Sequence, residues 1–285
     1  MSGSITLHII KKMLARSFTA VTVMLAASGC SNQGPNIPKT NLEHLRQFKM
    51  AGEPLNRQLS YLQSAQTEGV PVIYVHGTPG SAQAWVNYVE KPVQKSYSIA
   101  LDRPGFGQST PTVAMTSLHE QAAAVLALMP ADGQPVILVG HSLGGPVVAQ
   151  VAAEHPERVG ALVLLAASLD PGLEEIHPLQ PLGKYWPISA LLPDKLRNSN
   201  DELMDLKTHL LTLEPLLKNI TAPVIIVHGT KDNLVPFANV AFMQAKLSQA
   251  KCLKTVVLEN QNHFLPWNSE AVVRDAIAWA IEPSC

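Results

Sequence analysis

Gly140-His141-Ser142-Leu143-Gly144 fits the pattern Gly-x-Ser-x-Gly, with an apolar run at 136–139 before it and a run of helical spacing from 145 after it. Glycines at these two offsets allow a sharp strand-to-helix turn in which neighbouring side chains would collide, and they hold the serine hydroxyl at the helix N-terminus. A serine hydroxyl is a weak nucleophile at neutral pH. It needs a base to take its proton, and the base needs a partner that fixes its tautomer. Two later loops supply those types: Asp232 follows the apolar run 224–227, and His263 follows the apolar run 255–258. The order Ser, Asp, His predicts Ser142 as nucleophile, Asp232 as the orienting acid and His263 as general base. Asp170 also follows a core strand and is the alternative acid.

The elements that must position these residues follow from apolar spacing. Short, β-branched runs at 70–75, 97–101, 136–139, 161–166, 224–227 and 255–258 are bounded by Gly, Pro or polar residues and predict strands buried on both faces. Between them, 117–129, 145–155, 237–249 and 269–281 have helical spacing, and residues 55–64 predict an extra strand or hairpin ahead of the series. The alternation predicts an α/β class: a mostly parallel central sheet flanked by helices, whose loops bring Ser142, Asp232 and His263 to one sheet edge. The interval from about 169 to 221 breaks this rhythm. Its prolines predict short pieces, with one amphipathic helix near 200–213, and the interval reads as a short helical cap insertion.

Residues 1–29 stand apart. Lys11, Lys12 and Arg16 precede an apolar stretch at 18–27 that is too short to span a bilayer and suits a signal peptide. The stretch ends Ala27-Ser28-Gly29-Cys30, which resembles the lipobox of bacterial lipoproteins; that resemblance implies lipidation of Cys30, export, and a lipid anchor in the bacterial cell envelope facing the periplasm or exterior. Residues 30–40 read as a tether and 41–285 as the main domain. The chain has 46% hydrophobic and 15% charged residues with net charge −1, so no basic field favours nucleic acid. The other histidines lack ligand spacing, and neither a metal nor an organic cofactor is expected. Cys252 and Cys285 could pair or stay free.

With these motifs in place the chain resembles the α/β-hydrolase superfamily over roughly residues 55–282. Four blocks carry the resemblance: His76-Gly77-Thr78-Pro79-Gly80, Asp102-Arg103-Pro104-Gly105-Phe106-Gly107-Gln108-Ser109, the serine elbow, and the Asp232 and His263 loops. It implies the α/β-hydrolase fold, an oxyanion hole made by the backbone N–H groups of Thr78 and Leu143, and a structural role for the Asp102–Ser109 turn. The implied activity is hydrolysis of small or medium carboxylic esters through an acyl-enzyme on Ser142. Related amide, thioester, carbon–carbon or peracid chemistry on the same residues stays open, as does a non-catalytic envelope lipoprotein that uses the fold as a binding module.

Overall fold

The computed structural model describes residues 42–285 except 54, 177 and 179. The predicted signal peptide, Cys30 and the tether lie outside the described residues.

Eight strands form one sheet in the order β1-β2-β4-β3-β5-β6-β7-β8. They are β1 (Arg46–Ala51), β2 (Arg57–Gln63), β3 (Val70–Val75), β4 (Ser96–Asp102), β5 (Val136–His141), β6 (Val159–Leu165), β7 (Val224–Gly229) and β8 (Leu253–Leu258). Strands β3 to β8 are parallel, while β2 runs antiparallel to both β1 and β4. The helices are α1 (Val86–Glu90), α2 (Leu118–Leu126), α3 (Gly144–Glu154), α4 (Ile188–Leu191), α5 (Asp194–Leu213), α6 (Asn239–Lys246), α7 (Leu265–Asn268) and α8 (Glu270–Ile281).

Alternation along the strands builds a core on each face. In β5, Val136 and Leu138 join a cluster with Leu118 and Val125 of α2, Val147 and Val151 of α3, and Leu206 and Leu210 of α5. Ile137 and Val139, pointing the other way, pack with Tyr88 of α1 and Val273 and Ile277 of α8. Both faces of β3, β5, β6 and β7 are thus covered, which is why they read as nearly continuous apolar runs, whereas β4 carries Ser96, Ser98 and Asp102 on one buried face.

Two strands depart from the expectation. β8 is only partly buried, with Lys254 and Val257 exposed, because it forms one edge of the sheet. β1, at the opposite edge, had no clear signature: Phe48 and Met50 are exposed, and the strand is held by its ladder to β2 rather than by burial of one face.

Between β6 and β7 the chain forms short helical turns, α4 and the long α5. That helix starts at Asp194, directly after Pro193, and not near residue 200. Its buried stripe begins with polar residues, Asn198, Ser199 and Glu202, before continuing with Leu206, Leu210 and Leu213. Asn198 Nδ2 donates to the carbonyls of Gly105 (2.7 Å) and Thr112 (3.1 Å), so the first turns are buried by hydrogen bonding that an apolar pattern cannot reveal. Cys252 and Cys285 are both free thiols.

Candidate active site

Ser142 sits between β5 and α3 with φ of 56°, a left-handed conformation that is costly for a non-glycine residue. Close packing around the turn compels it. A Cβ on Gly140 would stand 2.4 Å from the Gly144 carbonyl oxygen, and one on Gly144 would stand 2.2 Å from that of Val75. A Cβ on Gly77 would come within 2.7 Å of Ser142 Cβ, so the loop leaving β3 lies directly against the serine. The turn is fixed further by the Ser142 N–H donating to Leu165 (3.0 Å) and by the Gly145 N–H donating to Ser142 (2.9 Å).

Asp232 lies in the turn that leaves β7. Its Oδ1 accepts from the N–H groups of Leu234 (2.9 Å) and Val235 (2.8 Å), and its Oδ2 lies 2.7 Å from His263 Nδ1. Burial pushes the carboxyl pKa up, but the hydrogen bond and charge of His263, with the two amides, outweigh this and leave it below the ordinary 3.8. A carboxylate is an acceptor only, so Nδ1 of His263 carries the proton, and in the neutral ring Nε2 carries the lone pair. Asp170, the alternative acid, is engaged elsewhere: its Oδ1 accepts from the Gly172 N–H (2.8 Å) and caps the turn Pro171–Leu173.

Two histidines that the sequence left without a role complete the surroundings. His141 Nε2 donates to the His263 carbonyl (2.9 Å), and its ring lies 4.7 Å from that of His263 with Trp267 edge-on to it. Burial, then the neighbouring His263, pull the His141 pKa down to about 3, so the ring is neutral. His228 Nε2 donates to the Val235 carbonyl (3.0 Å) and lies 3.5 Å from Asp232 Oδ2; burial lowers its pKa as well. Their positions inside the Gly-x-Ser-x-Gly pattern and at a strand end give no signal of these contacts, which depend on loops distant in sequence.

Among the described residues neither the Thr78 nor the Leu143 backbone N–H donates to a protein acceptor. Both flank Ser142, Leu143 by sequence and Thr78 through the contact of Gly77 with the serine. Asp102 serves structure, as expected. Its carboxylate accepts from the Ala82 and Gln108 N–H groups, Ser60 Oγ and Arg46 Nη1, tying β1, β2 and β4 together. Tyr185 and Trp186 of the segment between β6 and β7 are exposed, Trp186 at 82%. A groove of about 360 Å³ between residues 112–116 and α5 is lined by Lys184, Arg197, Asp201 and Asp205 and touches none of the predicted site residues. No cluster of metal-ligating side chains occurs among the described residues.

A model of the family described as "Alpha/beta hydrolase family" matches residues 72–276. The chain is 38% identical over 97 residues to the dihydrolipoyllysine-residue acetyltransferase component of the acetoin cleaving system of Cupriavidus necator, covering 33% of this chain and 26% of that protein. To the protein of the same description from Pseudomonas putida it is 34% identical over 139 residues, covering 48% and 34%. The chain thus spans about a quarter to a third of the length of these curated relatives. Among solved structures, the monoacylglycerol lipase of Paleococcus ferrophilus is similar with a TM-score of 0.66 at 20% identity, covering 79% of this chain and 99% of that one, a likeness of fold.

Proposed function

This chain belongs to the alpha/beta hydrolase family and has its fold, a mostly parallel sheet flanked by helices, and on that premise we propose that it is a serine hydrolase cleaving carboxylic esters through an acyl-enzyme on Ser142. The observation that carries the reading is the 2.7 Å contact of His263 Nδ1 with Asp232 Oδ2, on a loop that His141 ties to the glycine-flanked turn where Ser142 is held in the left-handed region. His263 Nε2 takes the Ser142 proton as the hydroxyl attacks the ester carbonyl, and Asp232 stabilises the imidazolium that results. The unengaged N–H groups of Thr78 and Leu143 stabilise the tetrahedral oxyanion. His263 then protonates the departing alcohol and activates water to release the acid. Small or medium acyl esters are the proposed substrates, and the monoacylglycerol lipase among structures of this fold is consistent with ester chemistry.

The proposal extends to location. The basic and apolar leader ending at Cys30 supports export and a lipid anchor in a bacterial envelope. Radiolabelled palmitate incorporated by wild type and lost in Cys30→Ser is the expected result; equal labelling of both would refute anchoring at Cys30.

Full-length protein treated with a fluorophosphonate and weighed intact tests the chemistry. One adduct on wild type, none on Ser142→Ala and sharply slowed labelling of His263→Ala are expected. Well-folded wild type that stays unlabelled and turns over none of a panel of oxygen esters and thioesters would instead favour a binding module.

A further inference from the structure

Arg103 is entirely buried, yet its guanidinium is fully engaged. Nε donates to the His76 carbonyl (2.9 Å) and Nη2 to the Gly77 carbonyl (2.9 Å). The remaining donors meet α5 and α2: Nη1 and Nη2 reach the two carboxylate oxygens of Glu202 (2.5 and 3.1 Å), and Nη1 also reaches Gln121 Oε1 (2.5 Å). Gln121 Nε2 donates in turn to Glu202 Oε1 (3.0 Å). Ion pairs this deep are expensive in desolvation and are weak stabilisers against an apolar replacement, so the fork geometry calls for another reason.

The peptide plane supplies it. In a trans peptide the C=O of one residue and the N–H of the next are locked antiparallel, so fixing the Gly77 carbonyl fixes where the Thr78 N–H points. That carbonyl is held twice, by Arg103 Nη2 and by His76 Nδ1 (2.7 Å). His76 in turn accepts the Arg103 backbone N–H at Nε2 (3.1 Å), which leaves the Nδ1 proton free to be given to Gly77. Gly77 packs against Ser142, so the amide being aimed is the one beside the nucleophile.

We propose that Arg103 and Glu202 are positioning residues for acyl transfer: Glu202, on a helix of the segment between β6 and β7, holds the Arg103 fork, and the fork orients the Thr78 N–H toward the oxyanion. The inference rests on the reading of Ser142 as the acylated nucleophile. It makes the segment at 169–221 a contributor to transition-state stabilisation and not solely a cover, because displacing α5 removes the carboxylate that pins Arg103. Misaiming one preorganised donor costs less than deleting it, so a loss of about 10- to 100-fold in kcat is expected, with KM nearly unchanged.

The test uses full-length wild type, Glu202→Gln, which keeps size and one acceptor but removes the charge, and Arg103→Lys, which keeps the charge but cannot reach both carbonyls. Each is assayed for kcat and KM on p-nitrophenyl butyrate, for affinity toward a trifluoromethyl ketone that adds to serine as an anionic hemiketal, and for melting temperature. Glu202→Gln serves as the folded variant should Arg103→Lys not fold. Expected is a fall in kcat matched by an equal fall in ketone affinity, with Glu202→Gln milder than Arg103→Lys. Lowered melting temperature with wild-type kcat, or an effect confined to KM, would overturn the inference alone. Wild type that forms no fluorophosphonate adduct would overturn the acyl-transfer reading and this inference with it.

Discussion

His141 donates its Nε2 proton to the backbone carbonyl of His263 across 2.9 Å, so the residue immediately before Ser142 holds the loop that carries His263. The two imidazoles lie 4.7 Å apart, and Trp267 stands edge-on to His141 at 5.7 Å between ring centroids. Residues 141 and 263, separated by 122 positions in sequence, are thereby tied together. A substitution at 141 therefore acts on the geometry of His263 without touching its chemistry. His141→Ala is expected to lower kcat by about tenfold with little change in KM, a positional loss of the kind a displaced base produces. Steady-state kinetics on a p-nitrophenyl ester read this directly, and wild-type kcat would disprove it.

The same residue contributes to acid stability. Folding holds the His141 pKa near 3 against an ordinary 6.5, so between those values the unfolded chain binds more protons. Stability contributed by the neutral ring is whole above 6.5 and drains away as pH falls toward 3, at up to about 1.4 kcal/mol per pH unit. His76 and His228, both lowered by burial, add to the slope in the same direction. Urea unfolding at a series of pH values from about 7 to about 4 should show a steep loss of stability for wild type and a shallower one for His141→Asn. Identical slopes would mean that His141 is not buried neutral.

Asp232 and Asp170 make opposite predictions. Asp232→Asn removes the acceptor that fixes the His263 tautomer and is expected to reduce kcat by about 10⁴-fold while the protein stays folded. Asp170→Asn touches only the cap of a short turn, where the amide oxygen can still accept from Gly172, and activity should stay within about twofold. An inactive Asp170→Asn with an active Asp232→Asn would reverse the assignment.

Gly144 tests the packing that produces the serine turn. Alanine there places its Cβ against the Val75 carbonyl, which is backbone of a central strand and cannot move aside as a side chain would. A loss of about 3 kcal/mol or more in unfolding free energy, with reduced labelling of Ser142, is expected. Gly133 offers the contrast in space, since a Cβ there meets nothing within 4 Å, although its positive φ carries its own backbone cost.

How much could be read in advance depended on whether burial was apolar. Strands β3 to β7 were legible because helices cover both faces, and the predicted and observed limits of β3 coincide at Val70–Val75. β1 was not legible, since an edge strand held by one ladder needs no hydrophobic alternation. The start of α5 was hidden for another reason: Asn198 and Glu202 are buried through hydrogen bonds to partners far along the chain. Arg103 belonged to a recognised turn, but nothing local showed that its fork would close on residue 202.

The sequence by itself determined the serine turn and the class of fold. Glycines at 140 and 144 allow a conformation that other residues resist, and apolar runs alternating with helical spacing leave few ways to bury both faces of a sheet. Only the tertiary structure decided which side chains meet. Asp232 and not Asp170 reaches His263, His141 braces the His263 loop, and Arg103 joins α5 to the Gly77 carbonyl. The physical reason is that these contacts are set by directions and distances of a few ångströms between loops and helices distant in sequence, which local conformational preference does not encode.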